Sequence, residues 1–444
     1  MPKYDFDIAV LGGGAAGLTI TAGAAQAGAK TLLIEKERRL GGDCLYYGCV
    51  PSKTLIKTAH VYQQMKNAGK FGLPEAAPPV DFREVTNRIK FVIGDIQKHD
   101  SEERFCKLGA KVEYGEPEFV DEHSVRLNGK TFSSKDWVIA TGSSPAVPPI
   151  EGLDAVKYIT NREIYFLERL PDSMIILGGG PVGVEFAQAF ARLGTKVTVV
   201  ERLKQILSAD DYDMTETVRE CLKQEGVKFY LDSAVVRVND VGNEKEAVCK
   251  QAEQTKSLKA ETLVVAAGRR ANLQGLGLEN IGVQIDKRGL KLDRRLKTTQ
   301  RHIYGAGDVT GTYQFTHAAG YEGGIVVSNA IFHFPRTVDY TLLPWVTYTD
   351  PQLASIGMNE KAATAAGINY SVWTEEFKDN DRSLADGEPV GRIKMILDDR
   401  EKPIGVQIVG PQAGDLLNEW VAVMNGKMKL TTLAGSVHPY PTLG

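Results

Sequence analysis

The fold is decided by residues 7–35, DIAVLGGGAAGLTITAGAAQAGAKTLLIE, which pass from an apolar run through a glycine cluster to a second apolar run. The pattern predicts a buried strand over 7–11, a helix over 15–27 and another strand over 30–35. This order of elements is a βαβ unit. Because the glycines fall at the first strand-to-helix turn, the unit is typical of a dinucleotide-binding domain.

The glycines of this turn have separate tasks. Gly12 permits the tight turn, Gly14 lets the backbone approach a pyrophosphate, and Gly17 lets the helix pack closely on the strand. Amides at the helix N-terminus hold the anion, which adds Ala15 and Ala16 to the predicted binding residues.

Acidic residues at strand ends complete this predicted site. Glu35 ends the second strand and is expected to accept hydrogen bonds from ribose hydroxyls, with Lys36 beside it. A solvated strand end is the alternative interpretation of Glu35. Asp308 follows the strand-like run at 303–307 and is expected to bind another hydroxylated part of the same ligand, although a helix N-cap would also explain it.

A second copy of the pattern begins at residue 174. A strand over 174–177 leads into Gly178-Gly179-Gly180-Pro181-Val182-Gly183, followed by a helix to Leu193 and a strand over 196–201. One glycine motif alone is a weak signal, but both copies here have a strand before them and a helix after them. The chain therefore carries two dinucleotide folds, the second with predicted binding residues Gly178, Gly180, Val182 and Gly183.

Glu201 ends the second strand of this copy and decides which nicotinamide nucleotide is expected. A carboxylate there accepts from a free ribose 2′-hydroxyl and repels a 2′-phosphate, so NADH is favoured. Arg202 and Lys204 follow closely and offer the opposite alternative, a phosphate site.

The rest of the chain adds a third region. The run at 263–267 ends in Gly268-Arg269, and the run at 303–308 indicates a return to the first fold. From about residue 336 the signals change to antiparallel strands at 345–349, 370–377, 392–397 and 404–409, followed by a helix with an apolar face at 416–424. This is an α+β pattern.

Composition excludes several classes of partner. A net charge of -3 over 444 residues, with both signs interspersed, offers no surface for nucleic acid or an anionic membrane. Small-molecule ligands are expected instead. Five cysteines are too few for a secreted disulfide framework, which predicts a cytoplasmic protein in which any disulfide is catalytic.

Cys44 and Cys49 are predicted to be a redox pair. They lie four residues apart beyond the first nucleotide unit, in the run GGDCLYYGCVPSK at 41–53. Pro51 suits the first turn of a helix, which places Cys49 near the positive helix end, where a thiolate is stabilised. Two unrelated core thiols are the alternative. The remaining cysteines, Cys106, Cys221 and Cys249, are expected to be structural.

These motifs resemble the flavoprotein disulfide reductases, the family of dihydrolipoamide dehydrogenase, glutathione reductase and mercuric reductase. The resemblance covers nearly the whole chain and is carried by residues 12–17, 44–53, 140–142, 178–185, 268–269, 304–308 and 438–444. It implies an α/β fold with two Rossmann-like dinucleotide-binding domains, one for FAD and one for NAD(P)H, and a C-terminal α+β dimerisation domain that forms a homodimer.

The resemblance also implies domain limits and further cofactor contacts. The FAD-binding domain is expected over 1–145 and 271–335, the NAD(P)-binding domain over 146–270, and the interface domain over 336–444. Added to the residues above are Gly42, Lys53, Gly115, Thr141 and Gly142 for FAD, and Gly268 and Arg269 for NAD(P). No structural metal site is predicted.

Roles for the thiols follow from the same resemblance. Cys49 is expected nearest the flavin, and Cys44 is expected to be the exchange thiol that meets the substrate. Lys53 and Glu185 resemble the ion pair of the family beside the flavin. Electrons are then expected to pass from nicotinamide through flavin to the Cys44–Cys49 disulfide, and on to a thiol, disulfide or metal-ion acceptor.

The C-terminal motif departs from most of the family. Tyr440-Pro441-Thr442 occupies the register in which the family has a histidine that serves as acid and base. Mercuric reductases resemble the chain in having tyrosine there, so a mercuric-reductase-like enzyme is predicted. His438 lies two residues earlier and would serve a dihydrolipoamide dehydrogenase instead. The motif stops at Gly444, which suggests a missing tail, and a flavin-dithiol sensor without turnover is a third hypothesis.

Overall fold

The structure is a computed structural model that describes residues 4–444, and it divides into two compact units. Unit 1 contains residues up to Pro51, Asn87–Ala146 and Arg269–Val338; unit 2 contains Ser52–Thr86, Val147–Gly268 and Asp339–Gly444. The return of the chain to its first unit after residue 268 follows the expectation from the sequence. The predicted domain limits at 145, 270 and 335 stay predictions.

The strands are short and number β1 to β21 in chain order. They are β1 Phe6–Leu11, β2 Thr31–Glu35, β3 Ala110–Tyr114, β4 Glu118–Asp121, β5 Ser124–Leu127, β6 Lys130–Ile139, β7 Ser143–Pro145, β8 Ser173–Leu177, β9 Lys196–Val200, β10 Lys228–Tyr230, β11 Ala234–Val241, β12 Glu244–Gln251, β13 Gln254–Ala260, β14 Thr262–Val265, β15 Arg269–Ala271, β16 Ile303–Gly305, β17 Trp345–Thr347, β18 Gln352–Gly357, β19 Ser371–Glu376, β20 Arg392–Leu397 and β21 Pro403–Gly410.

The α-helices number α1 to α12. They are α1 Ala15–Gln26, α2 Gly42–Tyr46, α3 Cys49–Lys66, α4 Phe82–Gln97, α5 Glu102–Lys107, α6 Pro181–Leu193, α7 Tyr212–Gln224, α8 Thr316–Ala330, α9 Glu360–Ala365, α10 Asp381–Asp386, α11 Ala413–Asn425 and α12 Leu430–Ala434. Short 3-10 turns lie at Ala68–Phe71, Lys98–Asp100, Ile164–Phe166, Leu278–Ile281, Asp308–Thr310 and Phe377–Asp379.

Unit 1 is built on a seven-stranded sheet of order β3-β2-β1-β6-β5-β4, with β16 also beside β6. β1 pairs in parallel with β2 and β6, and β16 pairs in parallel with β6, so the first βαβ unit and the late strand share one sheet. α1 packs against α8. Ile8, Val10 and Leu33 are fully buried because both faces of a parallel sheet are covered.

Unit 2 contains three sheets. The parallel sheet β10-β9-β8-β14 carries the second nucleotide motif, β11-β12-β13 form an antiparallel sheet, and the antiparallel sheet β17-β18-β21-β20-β19 belongs to the C-terminal region. α11 packs on β18 and β21 through the face predicted from Leu417 and Met424. The predicted α/β class is therefore confirmed. Within residues 4–444, no helix has the length and apolar character needed to cross a bilayer.

Candidate active site

In the first glycine turn of unit 1, a side chain would clash with the backbone at Gly12 and Gly17 but would have space at Gly14. A Cβ on Gly12 would lie 2.3 Å from the Ala140 carbonyl oxygen, and one on Gly17 would lie 1.8 Å from the Gly12 oxygen. A Cβ on Gly14 would have no heavy atom nearer than 3.8 Å. The open space at Gly14, at the N-terminus of α1, fits the pyrophosphate of a dinucleotide.

Glu35 is held rigidly at the end of β2. Its Oε2 accepts from the Gly13 N–H at 2.5 Å and its Oε1 accepts from the Glu37 N–H at 2.9 Å. A carboxylate has about four acceptor sites, so lone pairs remain for ribose hydroxyls. The Glu35 carboxylate is therefore fixed by backbone amides rather than free in solvent. Lys36 lies on the surface in an ion pair with Glu116.

The second glycine turn repeats this construction in unit 2. A Cβ on Gly178 would lie 2.4 Å from the Ala266 oxygen and one on Gly183 would lie 2.0 Å from the Gly178 oxygen, whereas one on Gly180 would meet nothing within 4 Å. Val182 lies in the first turn of α6 and is partly exposed. The two units therefore carry nucleotide cradles of the same design.

Glu201 occupies the place in unit 2 that Glu35 has in unit 1. Its Oε2 accepts from the Gly179 N–H at 2.6 Å and its Oε1 accepts from the Leu203 N–H at 2.8 Å. Arg202 and Lys204 are exposed. The backbone amides thus hold the Glu201 carboxylate in place at the strand end. A carboxylate in this position suits a free ribose 2′-hydroxyl.

The predicted redox cysteines meet in unit 1. Both are thiols in this structure: Cys44 is in α2, and Cys49 is the first residue of α3. The hydrogen bond to Cys49, followed by burial, raises the pKa of Cys44 far above its ordinary value. Cys44 therefore keeps its proton at neutral pH, and negative charge on the pair belongs to Cys49.

Two features of the structure stabilise charge on Cys49. It lies at the N-terminus of an 18-residue helix, where the helix dipole favours a thiolate. Its Sγ is 3.3 Å from the Oγ1 of Thr316, which begins α8. Thr316 was missed by the sequence analysis, since it lies 267 residues away in the chain.

A cavity of about 370 Å³ in unit 1 opens beside Cys44. Its walls are α1, the Cys44–Leu45 segment, the start of α8 and the region around the end of α4; they include Leu18, Thr19, Ile96, Asp100 and Arg104. Most of this lining is apolar, with one carboxyl and one guanidinium. The cavity gives Cys44 space for a small acceptor.

The other three cysteines lie outside this site. Burial raises the pKa of Cys221 and of Cys249 to about 11, so both remain protonated at neutral pH. Cys106 is exposed on α5.

Arg269 lies at the edge of unit 1 and holds several of its polar groups. Its Nη2 donates to Asp43 Oδ2 at 2.7 Å, and its Nε donates to Ser143 Oγ at 2.7 Å. Ser143 Oγ in turn donates to Asp308 at 2.5 Å, and burial raises the pKa of Asp308. Asp308 begins a one-turn 3-10 helix. The guanidinium is thus connected to Asp308, a residue predicted for FAD, whereas Arg269 itself was predicted for NAD(P).

Three further predicted residues of unit 1 lie in constrained backbone. Gly115 has φ +144° and donates its N–H to the Glu35 carbonyl oxygen at 2.9 Å. Gly142 has φ +69°, and the preceding Thr141 donates its hydroxyl to the Asn272 carbonyl at 2.6 Å. A Cβ on Gly42 would lie 2.7 Å from the Gly14 Cα, so a larger residue would clash at position 42.

The predicted residue Gly268 belongs to unit 2 instead. It has φ +117° and ends the middle segment of that unit.

The predicted ion pair of Lys53 and Glu185 is formed within unit 2. Lys53 Nζ donates to Glu185 Oε2 at 2.8 Å, and Glu185 is 6% exposed. The Tyr348 N–H donates to the other carboxylate oxygen at 2.8 Å, and the Tyr348 ring lies 4.4 Å from Lys53 Nζ. Glu185 is therefore a buried carboxylate with both oxygens satisfied, and Tyr348 is a neighbour that sequence patterns did not indicate.

The C-terminal residues His438 and Tyr440 are exposed and each is paired with a carboxylate. His438 Nε2 lies 2.8 Å from Glu419 Oε1, and its Nδ1 lies 3.1 Å from the Ser436 carbonyl oxygen. The Tyr440 hydroxyl donates to Asp381 Oδ2 at 2.9 Å, and its ring is 82% exposed. These pairings raise the pKa of His438 and of Tyr440.

Comparison with known proteins identifies the fold and its cofactors. The family model for pyridine nucleotide-disulphide oxidoreductase matches residues 6–323, and the model for the dimerisation domain of that family matches residues 343–444. The chain belongs to this family. It is an NAD(P)H-dependent flavoprotein oxidoreductase, and the prediction of FAD and NAD(P)H is confirmed. The dimerisation domain supports a homodimer.

Relatives in the pyridine nucleotide-disulphide oxidoreductase family carry different activities. A mercuric reductase of Staphylococcus aureus is 30% identical over 99% of this chain and 80% of its own length. A dihydrolipoyl dehydrogenase of Geobacillus stearothermophilus is 34% identical over 98% of this chain and 93% of its own length. The HOCl-induced flavoprotein disulfide reductase RclA from Escherichia coli has a TM-score of 0.88 at 27% identity, covering 98% of this chain and 97% of the other.

The glycine turns of both cradles fit the cofactors of the family. Each cradle has a helix N-terminus facing open space at its middle glycine and a carboxylate fixed by two backbone amides. Residues 12–17 and Glu35 would hold FAD, and residues 178–183 and Glu201 would hold the nicotinamide nucleotide.

Proposed function

We propose that this chain is a reductase of thiol-binding metal ions, similar in chemistry to the mercuric reductases. Bound FAD supplies hydride acceptance from the nicotinamide and two-electron delivery to sulfur. Cys49 stabilises charge on the dithiol, and Cys44, beside the cavity, binds the incoming ion. Soft metal ions bind thiolates strongly, which suits a site whose exchange thiol is reached through a small cavity.

The single observation that carries this proposal is that both ring nitrogens of His438 are paired with acceptors. Both of its ring nitrogens face acceptors, so the imidazole is best satisfied when both carry protons. The carboxylate and carbonyl partners raise its pKa accordingly. Neither ring nitrogen of His438 is free to face a dithiol substrate in this arrangement, which argues against a dihydrolipoamide dehydrogenase that uses His438.

Tyr440 provides the alternative group at the proposed site. We assign it to the dithiol of the other subunit of the homodimer, because Tyr440 occupies the register in which the family has a histidine that acts on the thiols of the partner subunit. Its exposed ring is available to such a neighbour. Two solved structures similar to this chain are Cu(II) complexes of the reductase RclA from Escherichia coli, which supports metal ions as the acceptor class.

Dihydrolipoamide dehydrogenase is the second candidate. The dihydrolipoyl dehydrogenases among its relatives reach 34% identity, above the 30–31% of the mercuric reductases. An extended lipoyl group would have to enter the same cavity to reach Cys44.

We assign the reductant as NADH. The Glu201 carboxylate is fixed by two backbone amides at the strand end, where it would accept from a 2′-hydroxyl and repel a 2′-phosphate.

Anaerobic reoxidation of the NADH-reduced holoenzyme tests the acceptor. We expect mercuric or cupric ion to reoxidise it at least about 100-fold faster than oxygen, because thiolate ligation precedes electron transfer. Zinc ion, which binds thiolates but has no accessible lower oxidation state, is the matched control and should bind without reoxidation.

Faster reoxidation by lipoamide than by either metal ion would replace the proposal with the second candidate. If metal ions, lipoamide, glutathione disulfide and quinone all fail to exceed oxygen, a flavin-dithiol sensor becomes the better description.

A further inference from the structure

The cavity beside Cys44 carries one charged group of each sign. Most of its lining is apolar, and its charged groups are the Asp100 carboxylate and the Arg104 guanidinium. Burial raises the pKa of Asp100 even though Arg104 lies near enough to lower it through its charge. A carboxylate bonded directly to a guanidinium would have a lowered pKa instead. The two charges of the cavity are therefore separate groups rather than a closed ion pair.

Local structure places both charges at the cavity. Asp100 is half-buried at the end of the 3-10 turn Lys98–Asp100, and Arg104 is exposed on α5. Arg104 Nη1 donates to the His99 carbonyl oxygen at 2.6 Å. A guanidinium has five N–H groups, so others remain for a ligand. The cavity thus offers an acceptor for a cation and donors for a carboxylate.

We propose that this cavity is a subsite for free cysteine, with Asp100 accepting from its ammonium and Arg104 donating to its carboxylate, while its sulfur reaches Cys44. An α-amino acid carries both charges on one carbon, and cysteine adds a sulfur with which a thiol exchanges. Guanidinium and carboxylate also match in geometry, since two parallel N–H···O bonds form between them. The cysteine arrives either as a ligand of the metal ion or as half of cystine. This inference rests on the proposed function, which makes Cys44 the thiol that meets the acceptor.

Binding is followed by an exchange of sulfur partners. With a metal ion held by two free cysteines, a bond forms between the metal and the Cys44 sulfur, one metal–cysteine bond breaks, and the Cys44 proton leaves on the released cysteine. No electrons move in that exchange. With cystine, the Cys44 sulfur bonds to one sulfur and the S–S bond breaks. The released half takes the Cys44 proton and the electron pair of the broken bond.

Four disulfides that differ in charge test the subsite, each used to reoxidise the NADH-reduced holoenzyme without oxygen. Cystine carries both charges on each half, cystamine only the ammonium, dithiodipropionate only the carboxylate, and hydroxyethyl disulfide neither. We expect Asp100→Asn to slow cystine and cystamine, and Arg104→Gln to slow cystine and dithiodipropionate, each about 5-fold, the upper end for a partly exposed ion pair. Hydroxyethyl disulfide should stay within about 2-fold in both variants.

Two exposed side chains that are near in sequence but do not line the cavity supply matched controls. Asp95 is paired with Lys98, and Lys107 is paired with Glu103. Asp95→Asn and Lys107→Gln should therefore leave every rate within about 2-fold. Raised salt should narrow the advantage of cystine over hydroxyethyl disulfide in the wild type, because both proposed ion pairs are partly exposed.

Mercuric ion bound by two free cysteines, compared with the same ion bound by two mercaptoethanols, separates the two sources of cysteine. Slower reoxidation by the cysteine complex alone in Asp100→Asn and Arg104→Gln assigns the subsite to a metal complex. A response to cystine without reoxidation by either mercuric complex supports a cystine site and overturns the metal chemistry of the proposed function. If both variants keep wild-type rates with every charged acceptor, or lose hydroxyethyl disulfide equally, the subsite is overturned, whereas reduction of mercuric ion by the wild type would still support the proposed function.

Discussion

At the scale of single residues, the two thiols of the dithiol differ in their surroundings. Cys44 is held as a thiol, whereas Cys49 has the N-terminus of α3 and the Thr316 hydroxyl beside its sulfur. Charge on the pair therefore collects at Cys49, where it would interact with an adjacent flavin.

Anaerobic addition of NADH should produce a long-wavelength absorbance band that depends on Cys49. We expect Cys49→Ser to lack the band, because serine does not carry the charge at neutral pH. Cys44→Ser should show the band before NADH is added, because its Cys49 thiolate has no disulfide partner and the flavin is still oxidised. Cys106→Ser, at an exposed cysteine on α5, is the control and should leave the band intact. A band that survives in Cys49→Ser would assign the charged thiol to Cys44.

Glu201 gives a second prediction at this scale. Glu201→Ala should raise the KM for NADH about 10-fold and lower the NADH-to-NADPH preference by at least as much, because a charge-assisted hydrogen bond is lost and a repulsive charge is removed. Steady-state kinetics with both nucleotides measure this. Glu244→Ala, at an exposed hairpin position of the same unit, should change neither value. A preference that stays unchanged would move the specificity to Arg202 or Lys204.

At the scale of elements, Asp210 connects the segment before α7 to the C-terminal sheet of unit 2. Its Oδ1 accepts from Trp345 Nε1 at 3.0 Å, Ser355 Oγ at 2.6 Å and Gln407 Nε2 at 3.2 Å. Burial outweighs these bonds and raises the pKa of Asp210 to about 6. The folded state therefore loses stability as pH rises from about 4 through 6, since ionisation costs more in the fold than in the unfolded chain.

The variant Asp210→Asn removes this ionisation but keeps an acceptor oxygen. Relative to wild type, its free energy of unfolding should improve by about 2 kcal/mol between pH 4.5 and pH 7.5. Urea unfolding at the two pH values, at equal protein concentration, measures the difference. Asp399→Asn in the exposed turn between β20 and β21 should show no such trend. An equal difference at both pH values would mean that Asp210 ionises normally.

The elements themselves were largely predictable from local patterns. Gly12, Gly17, Gly178 and Gly183 identify both nucleotide turns because each position excludes a side chain through contacts within its own turn or with the adjacent strand. Alternating residues predicted β20 over 392–397 with its exact bounds. Elsewhere the predicted strand ends differ from the observed ones by one or two residues. The strand predicted to end at Glu201 ends at Val200, because the Glu201 side chain accepts a hydrogen bond from the Gly179 N–H.

The side-chain pairs formed by Tyr440, His438 and Cys49 were not predictable in this way. Tyr440 and Asp381 are 59 residues apart, His438 and Glu419 are 19 apart, and Cys49 and Thr316 are 267 apart. No periodicity or turn signal connects such positions, because their contact is made by tertiary folding. The sequence therefore indicated Tyr440 and His438 as site residues, but it did not indicate which carboxylate each side chain would contact.

At the scale of the whole molecule, the proposed function requires two subunits to complete each site. The dimerisation domain of the family matches residues 343–444, which include Tyr440, and the Tyr440 ring is 82% exposed. If each dithiol works with the tyrosine of the other subunit, then a subunit that lacks Cys44 and a subunit that lacks Tyr440 complement each other.

Hybrid dimers test this arrangement directly. Cys44→Ser and Tyr440→Phe homodimers are each expected to be impaired with mercuric ion, and equal amounts should be unfolded and reassembled together with FAD. Random pairing makes half of the dimers hybrid, and each hybrid has one fully wild-type site and one doubly altered site. The mixture should therefore regain about one quarter of wild-type activity. A mixture that stays at the average of its two parents would mean that Tyr440 serves the dithiol of its own subunit, since no hybrid would then contain an intact site.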